Sequence, residues 1–298
     1  MHAASRAPLN KALEVIEITV PQLIKDDYIR AGQPVHKLSY CAFLDVLGFS
    51  ARIEQSFKDG LGDVLLQEFH GILAKQIATL REDTNDSLLY FKSFTDNIIL
   101  AHPQISDDLE SEFGFILWSM SRYQFDMAQR GFFIRGGLSI GPLFVDDNSV
   151  YGPALLDAYK LESKVAVNPI VILSDDVMAL VLHHCTYYMD EDAPQHRAVL
   201  VNPDGRFFIN YLDECFLESS ESEEVHWPSL ETHKAQIEAA LLAYKGSPAI
   251  IAKFSWLAAY HNFFCNGVVD YLGYSPSIRI TKDVASVQFK TLAEIAQQ

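Results

Sequence analysis

Apolar positions change their spacing several times along the chain, and each change marks an element. Lys37 to Val46 (KLSYCAFLDV) is a short, nearly unbroken apolar run suited to a buried strand, and Gly48 ends it. From about Ser50 to Leu80 the spacing is helical, with Leu65, Phe69, Ile72, Leu73 and Ile77 on one face and interruptions at Gly60 and Gly62. The polar turn Arg81 to Asp86 leads to Leu88–Phe94 and Asn97–Ala101. Only Thr95-Asp96 separates these strand-like runs, which predicts a tight hairpin. A second long helix is predicted from about Asp107 to Arg130, stopped by Gly131. Phe132–Ile140 and Pro142–Val145 read as a further strand pair turning on Gly141-Pro142. Tyr151-Gly152-Pro153 opens a third helix, Ala154 to about Val165, with Pro153 placed in its first turn. Pro169–Leu173 is strand-like, and Ser174-Asp175 caps a helix through His184.

The order is strand, helix, hairpin, helix, hairpin, helix, strand. It predicts an α+β fold: a ferredoxin-like, antiparallel-rich sheet with helices on one face. Residues 1–36 read as an N-terminal leader ending in the Gly32-Gln33-Pro34 turn signal, and residues 37–186 as the core. Residues 187–298 complete the domain and add a helical C-terminal extension. There Arg197–Leu212 predicts a hairpin around Pro203-Asp204-Gly205, and Glu218–Glu224 (ESSESEE) a solvated acidic loop. Helices dominate from Leu230 to about Val268, broken at Gly246-Ser247-Pro248.

Charge narrows the partners. The 298 residues hold 23 Lys and Arg against 39 Asp and Glu, a formal net charge of −16. That balance disfavours nucleic acid as a partner, because such binding depends on cations neutralising phosphates. A small polyanionic substrate stays open if metal ions supply positive charge. Cys41, Cys185, Cys215 and Cys265 show neither a disulfide framework nor zinc-ligand spacing. His183-His184-Cys185 are adjacent on one predicted helix and point in different directions, so they do not read as a ligand set. The N-terminus lacks a signal-peptide core, and no run reaches the ~18 apolar residues of a spanning helix. A cytoplasmic protein without direct membrane contact is the expectation.

Two segments place costly carboxylates in apolar settings. In Phe43-Leu44-Asp45-Val46-Leu47-Gly48-Phe49-Ser50, Asp45 lies near the end of a predicted central strand, where an unpaired buried carboxylate costs several kcal/mol. Gly48 then allows a tight turn feeding a helix N-terminus, a ready anion nest; an Asp that merely caps that helix is the plainer alternative. In Lys92-Ser93-Phe94-Thr95-Asp96, Asp96 sits at the hairpin tip and Lys92 opens on the same side. If the first strand lies beside the hairpin, Asp45 and Asp96 converge and repel unless a cation sits between them. Oxygen-only ligands suit Mg²⁺ or Mn²⁺, and two carboxylates with an anion nest are the parts of two-metal phosphoryl chemistry.

FLDVLGFS, the K-x-x-x-D hairpin, the Arg135-Gly136-Gly137-Leu138-Ser139-Ile140-Gly141-Pro142 strand and the YGPALLDAYKLES helix occur in an order that resembles the catalytic domain of class III nucleotidyl cyclases, over about residues 38–175. The resemblance implies the class III cyclase fold and two metal ions, Mg²⁺ or Mn²⁺, held by Asp45, Asp96 and the Val46 carbonyl. It implies that Leu47, Gly48, Phe49 and Ser50 cradle the β- and γ-phosphates. It also implies a head-to-tail homodimer with composite sites, one domain giving the metals and the other the helix residues.

The chain departs from that pattern at the base and at the transition-state residues. Lys92 matches the base-reading lysine of adenylate cyclases, while Ser149 stands where they carry an aspartate. Leu156 falls at the family's transition-state asparagine and Lys160 at its arginine. Asp157, Lys160 and Lys164 share one helix face by spacing, and Lys160 keeps a positive charge without a bidentate fork. This combination resembles the pyrimidine cyclases of bacterial Pycsar anti-phage systems, whose cyclic nucleotides activate a separate effector. Lys92 is a donor that suits the O4 carbonyl of uracil, which favours UTP over CTP. The alternatives are a cytidylate cyclase, an adenylate cyclase recruiting Asp147 in place of Ser149, and a degenerate module that only dimerises or binds nucleotide.

Overall fold

The computed structural model describes residues 27–83, 89–188, 193–218 and 223–296; most of the leader and the middle of the acidic loop lie outside them. Its frame is a nine-stranded sheet. Lys37–Val46 (β1) is followed by helices Phe49–Lys58 (α1) and Gly62–Asp83 (α2), parted at Asp59-Gly60-Leu61. The hairpin Tyr90–Phe94 (β2) and Asn97–Pro103 (β3) comes next, then Glu110–Ala128 (α3). Ile134–Val145 (β4), Val150–Tyr151 (β5) and Pro153–Lys160 (α4) follow, and α4 runs into a widened turn at Leu161–Val165. Val171–Leu173 (β6) and Asp175–Cys185 (α5) close the predicted core. The extension supplies Val199–Val201 (β7), Phe207–Ile209 (β8), the helices Trp227–Ala243 (α6) and Pro248–Gly267 (α7), and Lys290–Thr291 (β9).

The strand order is β9-β7-β8-β6-β4-β1-β3-β2, with β5 also paired to β4. Only the β4–β6 pair is parallel. The sheet is thus antiparallel-rich, as the element order predicts. Alternation along β1 sorts the two faces. Tyr40, Ala42 and Leu44 pack with Phe69 and Ile72 of α2, Phe113 of α3 and Val177 of α5, which is the expected helical face. Cys41 and Phe43 point the other way, against Ala154 and Ala158 of α4. Further along that second face, Ile172 and Phe208 pack under α6 and α7 through Ile237, Leu241 and Leu257. The predicted extension is therefore a helical hairpin laid on the sheet beside α4.

One predicted turn is absent. β4 runs unbroken for 12 residues through Gly141-Pro142, and the chain reverses instead at residues 146–149 to make the short β4–β5 pair. The backbone explains why proline fits. Gly136 donates its N–H to Ile170 O at 2.9 Å, away from β1. By alternation the Pro142 nitrogen faces that same flank, where no strand pairs between Leu138 and Phe144, so no ladder bond is lost. Among the described residues no helix is long and apolar enough to cross a membrane.

Candidate active site

β1 and β4 pair in register, with Asp45 opposite Arg135. Arg135 Nε donates to Asp45 Oδ2 at 3.1 Å, and its Nη2 lies 3.1 Å from the same oxygen. Nη2 also reaches Glu162 Oε1 at 2.7 Å, on the widened turn after α4. Asp96, at the β2–β3 tip, is buried and within hydrogen-bonding reach of Asp45. The two carboxylates predicted from separate segments therefore converge. Burial raises the Asp45 carboxyl to about 6; the Arg135 hydrogen bond opposes this, and the Asp96 charge adds to it. Glu162 is raised as well, by burial first, with Arg135 opposing and Asp96 adding.

The backbone adds an oxygen. Leu47 N–H donates to Phe133 O at 2.8 Å, so residues 45 and 47 turn their main-chain groups toward β4. Val46 turns its carbonyl to the other flank. The last β1–β3 pair is Leu44 with Ile98, and the same register carried two positions further brings Val46 opposite Asp96. Asp45, Asp96 and the Val46 carbonyl thus face one place, an all-oxygen donor set of the kind Mg²⁺ and Mn²⁺ accept. Among the described residues no group of three or more His, Cys, Asp or Glu side chains is placed to hold a metal. A cation here would complete its shell with water or substrate oxygens.

The predicted phosphate turn follows at once. Gly48 takes the left-handed conformation, φ +75°, that swings β1 into α1. Leu47 has spent its N–H on Phe133, which removes it from the predicted nest. Phe49 faces inward, its ring 4.5 Å from Phe69, which leaves only its backbone for the predicted nest. The first-turn N–H groups of α1 have no acceptor within the helix. Ser50 is exposed beside them.

The base-reading candidates also meet. Lys92 and Ser149 line one cavity of about 530 Å³ with Phe43, Phe94, Asp147 and Leu156. Phe43 is two residues before Asp45 on the same face of β1, so the cavity lies on the Asp45 face of the sheet, beside Leu155, Leu156 and Tyr159 of α4. Asp146 Oδ1 accepts from the Asn148 and Ser149 N–H groups at 2.8 and 2.7 Å and from Ser149 Oγ at 3.1 Å. The Ser149 hydroxyl therefore donates to Asp146 and presents lone pairs elsewhere. Asp157 and Lys160 do not join this group. Lys160 Nζ is paired with Asp157 Oδ1 at 2.7 Å on the exposed surface, and both line a second cavity of about 550 Å³ with Lys164 and Arg206.

No family model and no curated protein matches the sequence. Among solved structures the chain is similar to the guanylyl cyclase domain of the RhoGC fusion protein from the aquatic fungus Blastocladiella emersonii, in a monomeric crystal structure. That pair is 16% identical over 58% of this chain and 94% of that one, with a TM-score of 0.36. The adenylate/guanylate cyclase/hydrolase from Silicibacter pomeroyi is 20% identical over 50% and 82%, TM-score 0.35. The guanylyl cyclase Cya2 is 13% identical over 58% and 91%, TM-score 0.38.

Three charged groups at the carboxylate site escape a reading of isolated motifs. Arg135 belongs to a quoted motif, but its contact with Asp45 follows only from the antiparallel register. Glu162 reaches Arg135 because the turn after α4 widens, its Ala166 N–H closing on Leu161 O at 2.8 Å. Lys253 of α7 comes from a segment more than 100 positions after Arg135 and acts electrostatically on both Arg135 and Asp45. The His183-His184-Cys185 run has a structural use: His184 Nε2–H donates to Asp108 O at 2.8 Å.

Proposed function

We propose that the chain is a nucleotidyl cyclase that converts UTP to 3′,5′-cyclic UMP and pyrophosphate, acting as a homodimer that makes a second messenger for a separate effector in anti-phage defence. The observation that carries the cyclase reading is the meeting of Asp45, Asp96 and the Val46 carbonyl beside the 47–50 turn. The donor set fits Mg²⁺ or Mn²⁺, and such ions would lower the pKa of the ribose 3′-hydroxyl and neutralise the triphosphate. In the reaction the 3′-oxygen bonds the α-phosphorus, the bond from that phosphorus to the bridging oxygen breaks, and pyrophosphate leaves with the electron pair. The 3′-hydroxyl proton passes to solvent. Asp45, Asp96 and the Val46 carbonyl would hold the ions; the α1 N–H groups hold phosphate oxygens, and Arg135, beside Asp45, is placed to turn to the phosphates.

The pyrimidine preference rests on the cavity beside α4. Lys92 donates to uracil O4, and the Ser149 oxygen, its hydrogen committed to Asp146, accepts from N3–H. Lys160 supplies positive charge to the phosphates of a site shared with a second copy after releasing Asp157. A second reading, ATP as substrate, has one observation in its favour: Asp147 lines the same cavity as Lys92. Purified protein incubated with each ribonucleoside triphosphate and Mn²⁺ should yield cyclic UMP as the main product. Asp45→Ala or Asp96→Ala should lower the rate at least a thousandfold, as should a chelator. Cyclic AMP as the main product would overturn the pyrimidine assignment, and no cyclic product from any nucleotide would leave only a binding module.

A further inference from the structure

The C-terminal hairpin has no part in this chemistry so far, yet α7 touches the end of the sheet where the carboxylates meet. Phe254, 5% exposed, sets its ring edge against Phe133 at 5.5 Å. Phe133 is the residue whose carbonyl accepts the Leu47 N–H, and it lies two positions before Arg135. Leu47 packs against the same cluster as Phe254. The neighbour of Phe254, Lys253, is thereby held at the Asp45 end of β1 and β4. It is half-buried, and two groups of the site act on it: Arg135 repels its charge and Asp45 attracts it.

That is an unusual place for a lysine. Among the described residues its ammonium has neither a hydrogen bond nor an ion pair. Asp45, the one anion it faces, is already engaged by Arg135 at 3.1 Å. Taking an ammonium partly out of water beside a guanidinium costs free energy unless an anion arrives to share both. Divalent cations at Asp45 and Asp96 would leave Arg135 with Glu162 alone and Lys253 without the one carboxylate that attracts it. A triphosphate restores the balance, since its terminal oxygens offer several acceptors at once.

We propose that Lys253 is a phosphate-binding residue of this site, supplied by the C-terminal hairpin of the same chain, and that it holds the terminal phosphates of the bound nucleotide and the departing pyrophosphate. The proposal rests on the cyclase reading, and a base-independent probe separates the two. Inorganic tripolyphosphate is titrated into the full chain with Mn²⁺ and followed by calorimetry, for wild type, Lys253→Met, Lys253→Gln, Lys253→Arg and Asp45→Asn. Loss of one charge-assisted contact should weaken tripolyphosphate binding by about tenfold or more in the Met and Gln variants. Arginine should restore most of it, and the thermal midpoint should stay close to that of wild type. A merely structural lysine would not give rescue by arginine together with loss in both neutral variants.

In turnover the neutral variants should raise KM for the nucleotide and lower kcat. Binding within twofold of wild type in both neutral variants, while Asp45→Asn weakens it, would overturn the role of Lys253 and leave the cyclase site standing. Tripolyphosphate binding unchanged by Asp45→Asn as well would overturn the site itself.

Discussion

Asp45 is a carboxyl whose neighbours disagree about its charge. Burial and Asp96 favour the neutral form, Arg135 favours the ionised one, and the balance stands at about 6, well above an ordinary aspartate. A metal ion needs the ionised form, so below pH 6 binding must first expel a proton. Mn²⁺ affinity, measured by calorimetry without nucleotide, should therefore be nearly level above pH 7 and fall by up to about tenfold per unit below pH 6. Asp45→Asn should bind weakly at every pH and lose the pH dependence. A constant affinity in wild type from pH 5 to 7.5, matched by Asp45→Asn, would show that Asp45 is not a ligand; a constant affinity in wild type alone would show that its carboxyl is not held near 6. The two carboxylates were legible in the sequence because each stands out against apolar neighbours. Arg135 was not, since its relation to Asp45 exists only across two strands 90 positions apart in the chain. Lys253 was legible only as a charge that interrupts an apolar helix.

At the level of elements, most of the core was legible because its strands and helices keep clean periods. β1, the β2–β3 hairpin, the Ser174 cap and the break between α6 and α7 all stand where their patterns predict. The turn expected at Gly141-Pro142 failed because the two residues carry a turn signal for a different reason. Pro142 fits an unpaired flank, and a β-carbon added to Gly141 would meet Ala154 of α4 at 3.7 Å, an ordinary contact, so neither residue breaks the strand. Glycine in β4 serves close packing rather than reversal. A β-carbon on Gly137 would strike Leu161 Cβ and come within 2.7 Å of Ala158 O, so α4 and its widened turn depend on that bare backbone. Gly137→Ala should therefore destabilise the protein by about 1–3 kcal/mol, read from urea unfolding, and disturb Glu162 and Arg135 with it. Gly71→Ala on the exposed side of α2, where nothing lies within 4 Å, should instead stabilise by about 0.5–1 kcal/mol. If both variants unfold at the same urea concentration as wild type, α4 is not seated as described.

For the whole molecule, the question is what fastens the C-terminal hairpin to the sheet, since Lys253 reaches the site only while α7 stays in place. A buried polar chain does part of this. Tyr211 Oη lies 2.8 Å from His233 Nε2, His233 Nδ1 is 3.0 Å from His261 Nδ1, and His261 Nε2 is 3.0 Å from Ile278 O. The terminal carbonyl must accept, so His261 carries its hydrogen on Nε2. His233 then donates through Nδ1, and Tyr211 donates to His233. Every nitrogen has a partner, His261 Nε2 also lying 3.4 Å from Cys265 Sγ, and both rings are neutral. Burial lowers His261 to about 4 and holds His233 well below its ordinary value, the latter with help from His261. A histidine whose folded pKa lies below its unfolded value near 6.5 contributes stability at neutral pH, and that contribution fades as pH falls from about 6.5 toward 4. Between pH 7 and 5 His261 alone should account for about 2 kcal/mol of lost stability. Asp45 and Glu214, raised to about 6 and about 7, act in the opposite direction, so the net slope is smaller than the histidine contribution. The difference between wild type and His261→Gln isolates it. Urea unfolding at pH 7 and at pH 5 should show the variant losing about 2 kcal/mol less than wild type over that interval, even if it starts less stable. Equal losses in the two proteins would mean that His261 is not held neutral. Because α7 carries both His261 and Lys253, the same acidification should loosen tripolyphosphate binding as the hairpin lifts, beyond what protonation of Asp45 explains. Tripolyphosphate affinity at pH 5 in a His233→Phe/His261→Leu double variant, apolar along that chain, should then exceed that of wild type.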